Sequence, residues 1–131
     1  MQHVQLDVAA DPTQLSLPRL LIGYVAAGLD MTVDHVEDLQ LALDELCVLS
    51  MADVANARSR LTVRVEWDER ELRVEISSHG EPASPLNNGP ELTAFSQQIL
   101  DALVDEHGVH SRDGVVVRWL RLTKRTNSGA S

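Results

Sequence analysis

A single carboxylate, Glu45, stands among apolar residues in the stretch LALDELCVLSMADV, residues 41–54. When each residue is placed by the 100° step of an α-helix, Leu39, Leu43 and Cys47 fall on one stripe, which predicts a core-facing side. Glu45 falls on the opposite side, where its neighbours are also mostly apolar: Leu41, Val48, Leu49 and Ala52. A solvent-exposed face should be polar, so the pattern predicts that a second layer, a pocket or a partner covers the face around Glu45.

The other reactive side chains do not match a catalytic or metal-binding pattern. The five histidines lack a short metal-ligand spacing. His107 and His110 are three positions apart, but Gly108 stands between them and is expected to break a helix there, so no metal site is predicted. Cys47 lies on the core stripe, where a buried thiol is usually inert, and nothing in the spacing pairs it with a histidine base.

Arg19 is the only lysine or arginine between positions 1 and 57. It stands in LSLPRLLIGYVAAGLD, residues 15–30, beside Leu15 and Leu17. A guanidinium offers a planar fork to a carboxylate of a partner, and exposed leucines add apolar contact area. These three residues are therefore a candidate partner-binding surface. The alternative is that Arg19 covers the edge of a sheet with its aliphatic stem.

Length and composition limit the class of protein. The chain has 131 residues, one cysteine and a formal charge of -9. This length predicts one domain, and the single cysteine excludes an internal disulfide. No apolar run is long enough for a membrane span, and the N-terminus lacks a signal pattern, so we expect a cytoplasmic protein. The acidic charge disfavours nucleic acid as a ligand; it favours a basic protein partner or serves solubility alone.

The hydrophobic pattern divides the chain into strands and helices that must position these residues. Thr32 is a candidate N-cap for the long helix, and Gly108 is a candidate end for the last one. The order β-α-α-β-β-α-β predicts an α+β two-layer sandwich, a mostly antiparallel sheet with helices on one face. Residues 1–125 are predicted to form this domain, and 126–131 a flexible tail. The predicted elements are strand 3–10, helices 15–30 and 32–56, hairpin 60–80, polar loop 81–91, helix 92–108 and strand 115–125.

This order of elements resembles a known family. The most specific segments are VEDLQLALDELC, residues 36–47, and ILDALVDEHGVHSRDGVVVRWLRLTKR, residues 99–125. They are similar to the GHKL, or histidine-kinase-like, ATPase fold as used by RsbW-type anti-sigma factors. Those proteins are also serine-protein kinases that phosphorylate an anti-anti-sigma partner. The resemblance covers nearly the whole chain, from VQLDVAA to LRLTKR.

The resemblance places a nucleotide site on the chain, with changes at three elements. Glu45 matches the family's glutamate, a general base or water-orienting group, but Leu49 replaces the asparagine that holds Mg²⁺ and has no oxygen ligand to offer. Ser78 replaces the aspartate that binds adenine, although Gly80 matches the following glycine. The segment AFS, ending at Ser96, replaces the glycine-rich turn that meets the phosphates, so Cβ atoms stand where the backbone must approach phosphate.

From these changes we expect Glu45 to be a remnant of a catalytic site. The residues Glu45, Ser78, Gly80 and Ser96 would form a degenerate ATP pocket. No cofactor is expected, and any binding of ATP with Mg²⁺ should be weak. An alternative for Glu45 is a structural role in which it reaches solvent or pairs with an arginine of the hairpin.

The resemblance also implies partners and a function. In the family, an arginine at the place of Arg19 contacts both the sigma factor and the anti-anti-sigma protein. The chain is therefore expected to sequester a sigma factor until a STAS-type anti-anti-sigma protein competes, with kinase activity weak or lost. A homodimer is expected because the family commonly dimerises. Two alternatives remain open: an active ATP-dependent serine-protein kinase, and an adaptor that binds only the anti-anti-sigma protein.

Overall fold

The chain forms a five-stranded antiparallel sheet with the helices on one face, in a computed structural model that describes residues 1–83 and 90–123. The strand order is β1-β2-β3-β5-β4, and every pairing is antiparallel. The predicted α+β two-layer sandwich is therefore confirmed. The predicted tail, residues 126–131, lies outside the described residues. The elements are β1 Gln2–Ala9, a 3-10 turn Pro12–Gln14, α1 Ser16–Gly28, α2 Val33–Ala52, β2 Arg60–Trp67, β3 Glu71–His79, α3 Pro90–Leu103, β4 Glu106–Arg112 and β5 Val115–Thr123.

The core lies between the sheet and α2. Leu39, Leu43 and Cys47 of α2 are at most 1% exposed, as the helical stripe predicted. The alternating residues of β2 and β3 face them because successive side chains of a strand point to opposite sides. The residues of these two strands with no exposed surface are Leu61, Val63, Val65, Val74 and Ile76. No helix among the described residues is long and apolar enough to cross a membrane.

Local hydrogen bonds fix the ends of several elements. Thr32 caps α2 as predicted, because its hydroxyl oxygen accepts a hydrogen bond of 3.2 Å from the His35 N–H. In the turn between β2 and β3, an oxygen of Asp68 accepts from the N–H groups of Arg70 and Glu71 at 2.7 and 2.9 Å. These two hydrogen bonds lower the pKa of the Asp68 carboxyl.

The helix α2 ends at Ala52, four residues before the predicted end at 56. The chain leaves the helix because its next residues pair with the segment after β3. Val54 forms an isolated β-bridge with Pro82, and the Ala55 N–H donates to the Glu81 carbonyl at 2.8 Å. This pairing gives the backbone a partner outside the helix, which periodicity alone did not indicate.

The prediction of a helix over 92–108 was wrong at its C-terminal end. The helix α3 stops at Leu103, and residues 106–112 form β4, an edge strand paired with β5. A tight turn at Asp113 and Gly114, with φ values of 54° and 79°, joins the two strands. Positive φ at both central residues suits the right-handed twist of a hairpin, and Asp-Gly is a favoured pair there. The sheet therefore has one strand more than predicted.

Gly108 does not end a helix; it lies in β4 opposite Trp119 of β5. A Cβ added at Gly108 would lie 3.0 Å from the Trp119 ring, so glycine leaves room for the indole. The same ring holds the Arg73 guanidinium 4.9 Å from its centroid, a cation–π contact on the sheet face that lies away from the helices.

We expect Gly108→Val to lower the stability of the chain. The new side chain would push the Trp119 ring away from Arg73, and such overpacking costs about 1–3 kcal/mol. Thermal unfolding followed by circular dichroism measures the loss. Gly28→Ala is the control, because nothing lies within 4 Å of a Cβ at that position. Equal melting temperatures for Gly108→Val and the wild type would contradict this packing.

Candidate functional site

Two of the predicted site residues meet between α2 and α3. The Ser96 hydroxyl donates a hydrogen bond of 2.9 Å to Oε2 of Glu45. Ser96 is 1% exposed, whereas Glu45 is half-buried. Because α3 packs on this side of α2, a second layer of the protein covers part of the face around Glu45: Leu49 is 5% exposed, whereas Leu41 remains 44% exposed. The carboxylate is held by a serine, not by an arginine of the hairpin.

Leu49 stands one helical turn after Glu45, at the position where the resemblance led us to expect a Mg²⁺ ligand. It is 5% exposed and belongs to the hydrophobic core. A leucine side chain packed in this way contributes apolar burial of about 2 kcal/mol. It offers no oxygen to a hard cation such as Mg²⁺, which binds oxygen ligands. This position therefore supports packing and not metal binding.

Ser78 is committed to a hydrogen bond with α2. Its hydroxyl donates to the Ser50 carbonyl at 3.0 Å, and the Ser50 hydroxyl in turn donates to the Leu46 carbonyl at 2.8 Å. Both serines are buried, at 7% and 0% exposure. Buried hydroxyl groups need such partners because an unpaired one costs free energy. The two serines together join β3 to the second half of α2.

The backbone conformation and packing of Gly80 both require glycine, independently of any nucleotide. Its φ is 150°, a conformation that side chains other than glycine rarely adopt. A Cβ at this position would also lie 2.2 Å from the Ser59 hydroxyl oxygen. Packing against Ser59 therefore explains this glycine without any phosphate or adenine contact.

An ion pair that the sequence pattern did not predict joins Asp53, just after α2, to Arg118 of β5. Nε of Arg118 donates to one Asp53 carboxylate oxygen at 2.7 Å, and Nη2 donates to the other at 2.9 Å. The side chains are only 16% and 12% exposed. The sequence did contain a signal for this pair. Arg118 lies two residues from both Val116 and Leu120 in a strand, so it shares their inward side. A charge at such a position requires a partner.

These contacts join α2 to its three neighbours around the expected nucleotide pocket. Glu45 connects it to α3, Ser50 connects it to β3, and Asp53 connects its end to β5. The Asp53 carbonyl also accepts a hydrogen bond of 3.1 Å from the Ala83 N–H, in the segment that follows β3. Among the described residues, Glu45, Ser50 and Asp53 are thus each engaged in a polar contact within the protein.

The remaining reactive side chains do not form a centre. Burial, followed by the nearby Asp44 carboxylate, raises the pKa of the Cys47 thiol to about 12, so the thiol stays protonated near neutral pH. His107 and His110 both lie in β4, so the helix break that was expected between them does not exist. The His107 ring contacts the Asp101 carboxylate. Within residues 1–83 and 90–123, no three histidine, cysteine or acidic side chains cluster as metal ligands.

The candidate partner surface lies on α1. The Arg19 guanidinium, 53% exposed, forms an ion pair with Asp44 of α2, so the structure does not leave it isolated. The Arg19 carbonyl accepts a hydrogen bond of 3.2 Å from Nε2 of Gln40. Leu17 is 44% exposed, whereas Leu15 is half-buried against the core. Arg19 therefore borders the space between α1 and α2, not the edge of the sheet.

Sequence comparison finds relatives that are named RsbW, either as an anti-sigma factor or as a serine-protein kinase. The chain is 36% identical to the anti-sigma-F factor RsbW of Mycobacterium tuberculosis over 81% of its own length, and it spans 60% of that relative. It is 24% identical to the serine-protein kinase RsbW of Bacillus velezensis, over 89% of this chain and 83% of that protein. The serine-protein kinase RsbW of Bacillus subtilis is also 24% identical, over 88% and 82%. No protein-family model matches the chain.

Two solved structures share the fold. A Mycobacterium tuberculosis structure containing RsbU and RsbW domains superposes with a TM-score of 0.70 and 12% identity, over 96% of this chain and 34% of that one. The catalytic domain of the histidine kinase ThkA gives a TM-score of 0.53 and 11% identity, over 95% and 98%. At such identities the superpositions show the architecture alone.

Proposed function

This chain is related by sequence and by fold to the RsbW-type anti-sigma factors and serine-protein kinases, and on that premise we propose that it is a binding regulator of the same kind. It sequesters a sigma factor in the cytoplasm and releases it when a STAS-type anti-anti-sigma protein competes. Its kinase activity is weak or lost. We expect a homodimer, which sedimentation analysis of the full chain would test.

The environment of Leu49 and Glu45 in the second half of α2 favours a binding role over an enzymatic one. Leu49 is packed into the core where a Mg²⁺ ligand would be needed, and Glu45 is held by a buried serine. Phosphoryl transfer depends on positioned metal ions and phosphate contacts, because the protein contributes little covalent chemistry of its own. A chain with these residues retains the family's scaffold without the metal contact on which the reaction depends.

The partner surface that we propose is the exposed side of α1 around Arg19, Leu17 and Leu15. Arg19 is held in place by Asp44, which reduces the side-chain freedom it would lose on binding a partner carboxylate. Leu17 stands two residues away with nearly half of its surface exposed and supplies apolar area. Leu15 adds less contact area because it also packs against the core.

We expect ATP with Mg²⁺ to bind with a dissociation constant no tighter than about 100 μM, or roughly -5.5 kcal/mol. The reason is the combined change at Leu49, Ser78 and Ser96, all of which are engaged in internal contacts. Isothermal titration calorimetry of the full chain with Mg-ATP measures the affinity. The serine-protein kinase RsbW of Bacillus subtilis, titrated under the same conditions, is the positive control. Low-micromolar binding, or transfer of phosphate to a STAS-type protein, would refute the proposal of a lost kinase.

A further inference from the structure

A groove runs along the solvent side of α1 and α2. It begins at Arg19 and Asp44 and ends near Asp30 and Val33. Two cavities of about 490 and 750 Å³ form it, and they adjoin at Gln40, which lines both. On α2 the lining residues recur every three or four positions, whereas on α1 neither cavity has a lining residue between Leu20 and Ala27. Its lining residues include Leu20, Ala27, Val33, Val36, Glu37 and Gln40.

Apolar side chains are exposed in and beside this groove. Leu20 is 69% exposed and Val33 is 72% exposed, and both line it. Leu17 is 44% exposed and lies near its Arg19 end, whereas Tyr24, 83% exposed, lines a separate cavity with Gln2 and Val4 of β1. A single exposed apolar residue is normal on a protein surface, but a contiguous group rimmed by charge is typical of an interaction site.

The charge around the groove is one-sided. Three carboxylates line the groove, those of Asp30, Glu37 and Asp44, against one guanidinium, that of Arg19. Asp44 is paired with Arg19, whereas no cation lies within ion-pair distance of Asp30 or Glu37 among the residues that the structure describes. The sheet face opposite the helices differs, because its acids are paired with arginines: Arg64 with Glu66, Arg73 with Glu75, and Arg121 with Glu71 and Glu106.

The length of the groove fits a helix of a partner. Between Val33 and Asp44 the axis of α2 rises by about 16 Å, which equals about three turns of an α-helix. An amphipathic helix can place its apolar face into such a groove with anchors at i, i+3 or i+4, and i+7. Leu20 and Val33 would contact these anchors, while Asp30 and Glu37 would face the charged side of the partner helix.

We propose that this groove binds an amphipathic helix of a partner protein that carries basic residues beside its apolar face, with one carboxylate at the end that meets Arg19. The proposal rests on the proposed function in that this helix belongs to the protein that the chain sequesters. It adds the chemistry by which that protein is recognised. Unneutralised acids opposite basic side chains provide specificity and a faster association.

The test uses a fluorescent synthetic helical peptide of about four turns, with leucines on one face and lysines beside them. The matched probe has glutamate in place of every lysine. Binding to the full chain is followed by fluorescence anisotropy at low and high salt. We expect the lysine peptide to bind at least about tenfold more tightly than the glutamate peptide and to lose affinity as salt screens the charges.

Two pairs of variants locate the binding. Ala27→Phe fills the groove at an exposed position, and Ala57→Phe adds the same ring on an exposed turn outside it. Glu37→Lys reverses a charge of the groove, and Glu69→Lys makes the same change in the exposed turn of the β2–β3 hairpin. We expect each groove variant to weaken binding of the lysine peptide by about tenfold or more, and each control to change it by less than about twofold.

The outcomes separate this inference from the proposed function. Equal binding of the two peptides, absence of binding, or equal effects of the groove and control variants would overturn the groove. If these results accompany a sigma factor that still binds in an Arg19-dependent way, the proposed function stands without the groove. If the lysine peptide binds in the groove but no sigma factor binds, the groove stands and the proposed function fails.

Discussion

Arg19→Glu is expected to weaken binding of the sigma factor by about 30-fold to several thousand-fold while the chain remains folded. Arg19 is the one basic residue of the α1 surface, and reversing its charge replaces an attraction with a repulsion across a contact that loses water. Loss of a buried charged anchor typically costs about 2–5 kcal/mol. An arginine that stays at a solvated rim would cost less than about 1 kcal/mol. Titration calorimetry against the purified sigma factor distinguishes these ranges.

The ion pair with Asp44 calls for a second variant. Arg19→Glu also places a carboxylate beside Asp44, so part of any loss could come from a disturbed contact between α1 and α2. Asp44→Asn removes the internal partner and keeps the guanidinium. We expect this variant to lose much less affinity for the sigma factor than Arg19→Glu, because the guanidinium remains and only the contact that orients it is lost. Circular dichroism of both variants checks that the helices are intact.

Glu45→Ala is the control for the candidate nucleotide site. It removes the contact with Ser96 and should barely change binding of the sigma factor, because this residue lies between α2 and α3 and not on the α1 surface. If Arg19→Glu binds as tightly as the wild type, the proposed interface is wrong. If Glu45→Ala, and not Arg19→Glu, abolishes binding of the sigma factor, the result favours an active ATP-dependent kinase instead.

Arg118→Ala is expected to cause the largest loss of stability, about 3 kcal/mol, because it leaves the Asp53 carboxylate largely buried without its cation. The loss should appear as a lower midpoint in urea unfolding. It would also release the end of α2 from β5, since both guanidinium hydrogen bonds to Asp53 are removed. The effect would be structural, although these residues adjoin the candidate nucleotide site.

Two comparisons isolate the charge pair. The double variant Asp53→Ala with Arg118→Ala removes both charges and should recover part of the stability lost in Arg118→Ala. Arg121→Ala changes the same residue type in the same strand, but its pairs with Glu71 and Glu106 are more exposed, so it should destabilise much less. An equal urea midpoint for Arg118→Ala and Arg121→Ala would show that the Asp53 pair contributes no special stability.

The sequence predicted the architecture where hydrophobic period and capping signals agreed. The stripe of Leu39, Leu43 and Cys47 placed α2 on the sheet, and Thr32 marked its start. The hairpin over 60–80 followed from alternating apolar residues around a polar turn. In these segments local preference and tertiary packing favour the same structure, which is why single-sequence reasoning succeeded.

The strand β4 was missed because its residues carry little hydrophobic alternation. Only Val109 is a large apolar residue in EHGVHSR, since an edge strand with one neighbour can remain largely polar. Gly108 was then interpreted as the end of a helix. The pairing with β5 depends on the Asp-Gly turn at 113–114 and on contacts with Trp119, which are apparent once both strands are considered together.

The sequence proposed residues for a candidate site but could not predict their contacts. The resemblance marked Glu45, Ser78, Gly80 and Ser96, yet it could not show that Ser96 binds Glu45 or that Ser78 binds the backbone of α2. The Asp53–Arg118 pair joins residues 65 positions apart. Such a contact depends on the relative placement of α2 and β5, which no local pattern in the chain determines.

The central claim is that the chain binds a sigma factor without depending on nucleotide, and one measurement tests it most directly. Purified sigma factors of the source organism are titrated into the full chain by calorimetry, with and without Mg-ATP, and an anti-anti-sigma protein is then added and checked for phosphate. We predict one sigma factor that binds with the same affinity, within about twofold, in both conditions, and no phosphorylation of the antagonist. Binding that requires Mg-ATP, or a phosphoserine on the antagonist, would contradict the claim.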